Sequence, residues 1–171
     1  MRDYSRFHYT QEDLTFLSEE EKRLGYESFR SAEALKLGEE IIRIAQKEYE
    51  SGVSVQIIRL KDNVVIFQYV SDEKGERNLL FGSGKKNACL QYGHSSFYAF
   101  VKEIVENHTE RLFPGMELIQ AAGAYPVFVK NEMAGVIALS GLSDGNDHRL
   151  IVKALCAAQG KEYIPFEKEI V

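Results

Sequence analysis

Hydrophobic positions repeat along most of this chain with either the period of a helix or the alternation of a strand. Apolar residues recur every three or four positions over residues 14–24, which predicts a short helix, and again over 31–49, which predicts the first long helix. Gly52 is expected to end that helix. Residues 1–11 show no clear period and are expected to form a loose arm or a partner-binding tail.

Two pairs of short alternating segments predict β-hairpins. In the first pair, 53–57 and 64–69 flank the polar turn Lys61-Asp62-Asn63. In the second pair, 121–129 and 134–139 flank Lys130-Asn131-Glu132. Each pair is rich in β-branched and aromatic residues, which favours strands that pair across a short turn.

Three more helical patterns complete the sequence. Residues 78–91 are helical in pattern but interrupted by two glycines, Ser95 or Ser96 caps a helix that closes at His108, and the last helix starts near Asn146. The order helix, hairpin, helices, hairpin, helix predicts an α+β fold in which one antiparallel sheet receives both hairpins.

A chain of 171 residues is long enough for one buried core and too short for two ordinary domains. We expect an N-terminal arm with a short helix over 1–30 and a single domain over 31–171. The composition, 44% hydrophobic and 27% charged, is that of a globular protein.

The charge pattern limits the partners and the compartment. The net charge is -5 and the basic residues are dispersed, so a nucleic acid is not an expected partner. No apolar run approaches the ~20 residues of a membrane span and no secretory signal is recognisable, so we expect a cytoplasmic protein without a membrane partner. Cys89 and Cys156 are then reduced core thiols, and the absence of a Cys-x-x-Cys pair gives no support for a metal site.

Two glycine-rich segments resemble known motifs but lack essential parts of them. Gly141-Leu142-Ser143-Asp144-Gly145 has the spacing of a hydrolase nucleophile elbow, but Asp147 and His148 follow too closely to complete a triad. It is interpreted as a loop that caps a helix, where Asp144 and its neighbours form an anion or small-ligand site. Residues 82–86 lack the first glycine and the Ser or Thr of a phosphate-binding loop. Lys85 is therefore either solvated or available to a ligand carboxylate.

Two histidines stand at helix starts. His94 and His148 can each ligate a metal or heme iron, carry a proton, or simply make local hydrogen bonds. The acidic runs Glu19-Glu20-Glu21 and Glu39-Glu40 are interpreted as solvated helix faces, because adjacent helical residues point in different directions.

The order of several short motifs makes the chain resemble uncharacterised protein family 0303, a branch of the HbpS-like group that includes GlcG-type and heme-degrading-domain proteins. The resemblance covers residues 14–164. It is carried by Ala34-Leu35-x-Leu37-Gly38, Lys85-x-Asn87, Gly93-His94-Ser95-Ser96, Ala122-Gly123-Ala124-Tyr125-Pro126 and Val136-x-x-x-Ser140-Gly141-Leu142 with Asp147-His148. The chain departs from the family at Phe81, where a tryptophan is expected, and at Ser143, where a proline is expected.

The resemblance implies a profilin-like α/β/α fold, symmetric oligomers and a ligand such as heme. Heme-binding relatives can use a histidine of the first helix, but residues 31–51 contain none. If heme is the cofactor, His94 or His148 must ligate the iron, or Lys85 must contact a propionate.

Three hypotheses for function remain open. The first is a small oligomeric ligand-binding protein in which the lysine neutralises a ligand acid and the aspartate fixes a histidine tautomer. The second is an enzyme, of heme-degrading type, with His94 or His148 as general base. The third is a structural oligomer that presents its N-terminal arm to protein partners. The ligand-binding residues expected for the first are Lys85, Asn87, His94, Ser95, Ser96, Asp147 and His148.

Overall fold

The computed structural model describes residues 3–143 and 145–171, so Asp144 lies outside the described residues. The helices there are α1 (Gln11–Arg23), α2 (Ser31–Ile44), α3 (Glu76–Tyr92), α4 (Ser96–Val105) and α5 (Asn146–Gln159). The strands are β1 (Ser54–Arg59), β2 (Val64–Val70), β3 (Ala124–Val129) and β4 (Glu132–Ser140). Every predicted helix and hairpin forms, with ends shifted by a few residues.

The two hairpins join into a single antiparallel sheet with the strand order β2-β1-β4-β3. Strand β1 lies between β2 and β4, so that Ser54 is opposite both Val70 and Ser140. The predicted α+β fold with a central antiparallel sheet is confirmed. Strands β2 and β3 form the two edges of this sheet.

Helices cover both faces of the sheet. One face packs against α2 and α5 through a cluster that includes Leu37, Ile41, Ile57 and Leu150. The other face carries α3, which contacts β4, β3 and β1. Helices α1 and α4 pack against each other and against β3. The resulting layers match the α/β/α arrangement that the resemblance implied.

The N-terminal segment is packed rather than loose. Phe7 and Tyr9 are each 9% exposed, and their rings stack at 5.6 Å. The Tyr9 hydroxyl donates to the carbonyl of Glu169, and Phe166 and Ile170 are buried in the same cluster. The expectation of a loose arm is wrong here, because aromatic side chains without a helical period still find a partner in the C-terminal tail. The boundary between residues 30 and 31 stays a prediction.

Helix α3 runs without interruption through the two glycines that the sequence showed in it. A Cβ on Gly82 would lie 3.8 Å from Ala138 of β4, an ordinary contact. A Cβ on Gly84 would lie 2.3 Å from the carbonyl oxygen of Met116, which is a clash. The second glycine therefore lets the 115–119 segment lie directly against the helix.

Both cysteines are free and buried, as the sequence predicted. Burial raises the pKa of the Cys89 thiol well above its ordinary value. Among the described residues no helix is both long and apolar enough to cross a membrane.

Candidate functional site

Lys85 and Asp147 form a buried ion pair between α3 and the start of α5. Their side chains are 9% and 5% exposed, and Nζ lies 2.8 Å from Oδ2. The other carboxylate oxygen accepts the backbone N–H of Leu142 at 2.9 Å. Burial raises the pKa of Asp147 above its ordinary value, although the Lys85 ammonium acts in the opposite direction. The interpretation of Lys85 as a solvated lysine is wrong, since its charge is satisfied inside the protein.

The two serines hold the start of α4 in place. Ser95 is the N-cap of α4, and its Oγ accepts the N–H of Tyr98 at 3.1 Å. The Oγ of Ser96 accepts the N–H of Ala124 at 2.9 Å and donates to the carbonyl of Ala121. Both are fully buried, so they fix the entrance of α4 rather than offer hydroxyls to a ligand.

Asn87 lies apart from the other expected residues. Its Nδ2 donates to the carbonyl of Glu117 at 2.9 Å near the surface. The bond ties α3 to the segment that packs over Gly84.

Two glutamates of α1 are buried beside α4. Glu20 and Glu21 are 4% and 2% exposed, so their interpretation as part of a solvated face is wrong. Glu21 Oε1 accepts the N–H of Ser95 at 2.7 Å, while Oε2 lies 2.6 Å from Nδ1 of His94. A carboxylate is stabilised there because the N-terminus of a helix carries partial positive charge.

His94 is held in one orientation and keeps one nitrogen available. In the neutral tautomer that donates Nδ1–H to Glu21, Nε2 carries a lone pair. The ring stacks on Tyr98 at 3.9 Å, and 28% of the side chain is exposed. Nε2 makes no hydrogen bond to a described residue. The ring borders a cavity of about 60 Å³ lined by Ser18, Glu21, Lys22, Phe128 and Asn131.

His148 is placed differently, inside the core. It is 2% exposed, and Nε2 lies 3.4 Å from Glu20 Oε1. Its ring meets the Phe97 ring edge-on, with 5.3 Å between the ring centroids, and its centroid lies 5.5 Å from that of Tyr125. Neither ring nitrogen hydrogen-bonds to the described part of the chain. His148 is therefore inaccessible to a ligand in this conformation.

The seven expected residues do not meet in one site. Lys85 pairs with Asp147, so the aspartate faces a lysine and the expectation that it fixes a histidine tautomer is wrong. That role belongs to Glu21, which sequence reasoning missed. No local pattern reveals this contact, because Glu21 and His94 are brought together only by the packing of α1 on α4.

A larger groove lies at the turns of the two hairpins. Its volume is about 1040 Å³, and Phe29, Arg30, Lys61, Lys130 and Met133 are among its lining residues. It contains none of the seven expected residues. Among the described residues, no group of three or more His, Cys, Asp or Glu side chains is arranged to hold a metal ion.

A family model and several relatives match most of the chain. Residues 29–156 match the family model described as "Haem degrading protein HbpS-like". The chain is 26% identical over 161 residues to a UPF0303 protein of Acidobacterium capsulatum, covering 91% of this chain and 95% of that one.

Two solved structures share the fold. The crystal structure of the Ybr137w protein superposes with a TM-score of 0.77 at 25% identity, covering 86% of this chain and 90% of that one. The crystal structure of a PduOC:heme complex superposes with a TM-score of 0.59 at 14% identity, covering 77% of this chain and 94% of that one.

Proposed function

Since the chain belongs to the HbpS-like family and to its 0303 branch, we propose that it is a small ligand-binding protein for heme or a closely related anionic ligand. We assign the iron ligand to His94. The observation that carries this proposal is the geometry of the His94 ring, whose Nδ1 is held by the buried Glu21 carboxylate while 28% of the side chain stays exposed.

The residues around His94 suit heme in three respects. Metal-ligating histidines ordinarily donate their other ring N–H to a carboxylate or carbonyl, and Glu21 supplies that acceptor. Phe128 offers an apolar contact, and Lys22 offers a cation for a propionate. The cavity of about 60 Å³ is far below the ~300 Å³ of a small-ligand pocket, so it would hold only part of a heme. Bound heme would supply a redox-active iron.

The difference in exposure supports His94 over His148 as the iron ligand. His148 is 2% exposed and enclosed by Phe97 and Tyr125, whereas the His94 side chain is 28% exposed. Of the sequence-derived alternatives, ligation by His94 needs no opening of the core. A propionate contact to Lys85 would require its buried pair with Asp147 to break.

The test is a hemin titration of the purified protein, followed by the Soret absorbance and by the reduction potential. In the variant His94→Asn, the Asn amide can still donate to Glu21, but the iron ligand is lost. We expect at least tenfold weaker binding and loss of the Soret shift. Glu21→Gln leaves one side-chain oxygen for the two N–H groups, of Ser95 and His94, that the carboxylate accepts, so hemin binding should weaken and the reduction potential of the bound heme should rise.

The matched control is His108→Ala, because His108 is also a partly exposed histidine but lies at the far end of α4. It should bind hemin like the unaltered protein. If His94→Asn keeps the original Soret spectrum and affinity, the ligand assignment is refuted. An unaltered protein that shows no saturable binding would refute the heme proposal as a whole.

An enzyme at the same position is the second candidate. A histidine oriented by a buried carboxylate is also the arrangement of a general base, which the Glu21–His94 contact provides. In that case the hemin complex should lose its Soret band when a reductant and oxygen are added, and His94→Asn should lose that turnover. A complex whose spectrum stays constant under those conditions would contradict the enzyme hypothesis.

Cytoplasmic location and assembly into a homo-oligomer complete the proposal. Both come from the sequence and the resemblance. Fractionation of cells that express the full chain and the mass of the protein in solution test them separately.

A further inference from the structure

The groove at the turns of the two hairpins is built from three separate segments that backbone contacts hold together. The N–H of Leu60, in the first turn, donates at 3.0 Å to the carbonyl of Ala134, near the start of β4. The segment before α2 joins the same end of the sheet, where the N–H of Tyr26 donates to the carbonyl of Phe128 at 2.8 Å. We call the cavity of about 1040 Å³ lined by residues 29–31, 59–61, 129–130 and 132–134 the hairpin-turn groove.

Part of the wall of the hairpin-turn groove is apolar. Phe29, Leu60 and Met133 are among the residues that line it. The Phe29 ring lies close to Gly135 of β4, since a Cβ added there would be 3.6 Å from Cε1 of the ring. The Tyr26 ring meets it edge-on, with 4.9 Å between the ring centroids. Phe29 is thus held between the sheet and a second ring, and it offers a fixed apolar surface to a ligand.

Three cationic side chains line the same groove without an anionic partner. Arg30 comes from the start of α2, Lys61 from the turn of the first hairpin and Lys130 from the turn of the second. All three are exposed, and none forms an ion pair with the described part of the chain. The net charge of the chain is -5, so this cluster has the opposite sign to the molecule as a whole. An anion bound in the groove would relieve the repulsion among the three cations.

The acidic residues nearby are mostly committed to other partners. Asp62 holds Arg59, the fourth cation of the groove, with 2.7 Å between Oδ2 and Nη2. Glu33 accepts the backbone N–H of Arg30 at 2.7 Å, and its carboxylate is stabilised by the positive N-terminus of α2. Glu132 is the only acid among the described residues that line the groove. The unpaired cations therefore outnumber the unpaired carboxylates there.

We propose that the hairpin-turn groove binds an organic phosphate that carries an apolar or aromatic body. A phosphate ester has about two negative charges near pH 7 and three strong acceptor oxygens. The guanidinium of Arg30 can donate two parallel hydrogen bonds to it, and the two lysines supply further positive charge. The apolar body would contact Phe29 and Met133. The volume of the groove is close to the upper end of the ~300–1,000 Å³ of small-molecule sites.

This inference is independent of the heme proposal. The hairpin-turn groove shares no lining residue with the cavity beside His94. The variant His94→Asn should therefore bind an organic phosphate like the unaltered protein, and Lys130→Gln should give an unchanged Soret titration with hemin. Failure of one proposal leaves the other standing.

The experiment is a calorimetric titration of the full chain with 1-naphthyl phosphate, without hemin and at low ionic strength. We expect saturable binding of one probe per chain, and this binding should weaken as salt is added, because the charges involved are exposed. 1-Naphthol lacks the phosphate and inorganic phosphate lacks the ring. Each of these should bind at least about tenfold more weakly than 1-naphthyl phosphate.

Variants of the cations test where the probe binds. Arg30→Gln and Lys130→Gln should each weaken the binding of 1-naphthyl phosphate about two- to fivefold, the range expected for one exposed ion pair. The double variant should bind more weakly than either single variant. Lys47→Gln is the matched control, because Lys47 is also exposed and unpaired in the described part of the chain but lies beyond the far end of α2. Its affinity for the probe should equal that of the unaltered protein.

Several results would overturn the proposal. One is an unaltered protein that shows no saturable binding of 1-naphthyl phosphate, and another is equal affinity for 1-naphthol. Arg30→Gln and Lys130→Gln variants that bind the probe as tightly as Lys47→Gln would place it outside the groove. Displacement of the probe by one hemin per chain in the His94→Asn protein would show that the groove takes porphyrin carboxylates instead of a phosphate.

Discussion

At the scale of single residues, Lys85 and Asp147 form a buried ion pair whose disruption should be costly to stability. The ammonium and the carboxylate are 2.8 Å apart and nearly excluded from water. Removing one member of such a pair leaves an uncompensated buried charge, which is more costly than losing the attraction itself.

We therefore expect Lys85→Met to lower the free energy of unfolding by about 3–5 kcal/mol. The double variant Lys85→Met with Asp147→Leu should recover much of that loss, because no buried charge remains. Urea denaturation measures both. Lys102→Met, which removes the exposed partner of Glu106 on α4, is the control and should cost less than about 1 kcal/mol. A loss for Lys85→Met no larger than this control would contradict the argument.

At the scale of elements, helix α3 combines poor intrinsic propensity with close packing. Glycine in a helix interior costs about 1 kcal/mol relative to alanine, and α3 contains Gly82 and Gly84. Their surroundings differ, since only the second meets a backbone carbonyl at clash distance.

This difference predicts opposite effects for one substitution at two neighbouring positions. Gly82→Ala should raise the free energy of unfolding by up to about 1 kcal/mol, because the added methyl makes an ordinary contact with Ala138. Gly84→Ala should lower it by about 1–3 kcal/mol, because the methyl would displace the segment at Met116. Thermal or urea unfolding of the two variants under identical conditions is the measurement. Equal shifts of the same sign would show that packing at Met116 is not the reason for the glycine.

The elements themselves could be predicted because their signals are local. The alternation of the strands can be read from the few residues on either side of 61–63 and 130–132. The helical period can likewise be read from residues 31–49 alone. The site could not be predicted in the same way. His94 was a candidate from its position at a helix start, but Glu21 was interpreted as solvated, since nothing in residues 14–24 shows that α4 will pack over it. Contacts between residues far apart in sequence carry no such local signal.

At the scale of the whole molecule, several tyrosines are folded into environments that disfavour their ionised form. Burial raises the pKa of Tyr9 and Tyr125 above the ordinary value near 10, and it raises that of Tyr26 to about 12. These tyrosines lie in different parts of the fold. The ionisation of their side chains should therefore affect the free energy of unfolding of the whole protein.

The sign of the pH dependence follows from these shifts. Below pH 10 the phenols are protonated in both the folded and the unfolded protein, and their raised pKa values do not lower the free energy of unfolding. As the pH rises from about 10 toward 12, the unfolded phenols ionise first, so the free energy of unfolding should fall. Urea midpoints between pH 8 and 11.5 test this expectation. The buried Tyr26 hydroxyl has no hydrogen-bond partner among residues 3–143 and 145–171, so Tyr26→Phe should be neutral at pH 8 and should weaken the alkaline decline. A decline identical in the two proteins would exclude a contribution from Tyr26.

The contact between Glu21 and His94 joins a residue inside the segment that matches the family model to one outside it. The segment that matches the family model, 29–156, contains the histidine but not helix α1, which provides the carboxylate. The ring therefore lies inside that segment and its anchor outside it. A protein trimmed to 29–156 would lack the Glu21 carboxylate, so its His94 ring would lose the hydrogen bond that orients it.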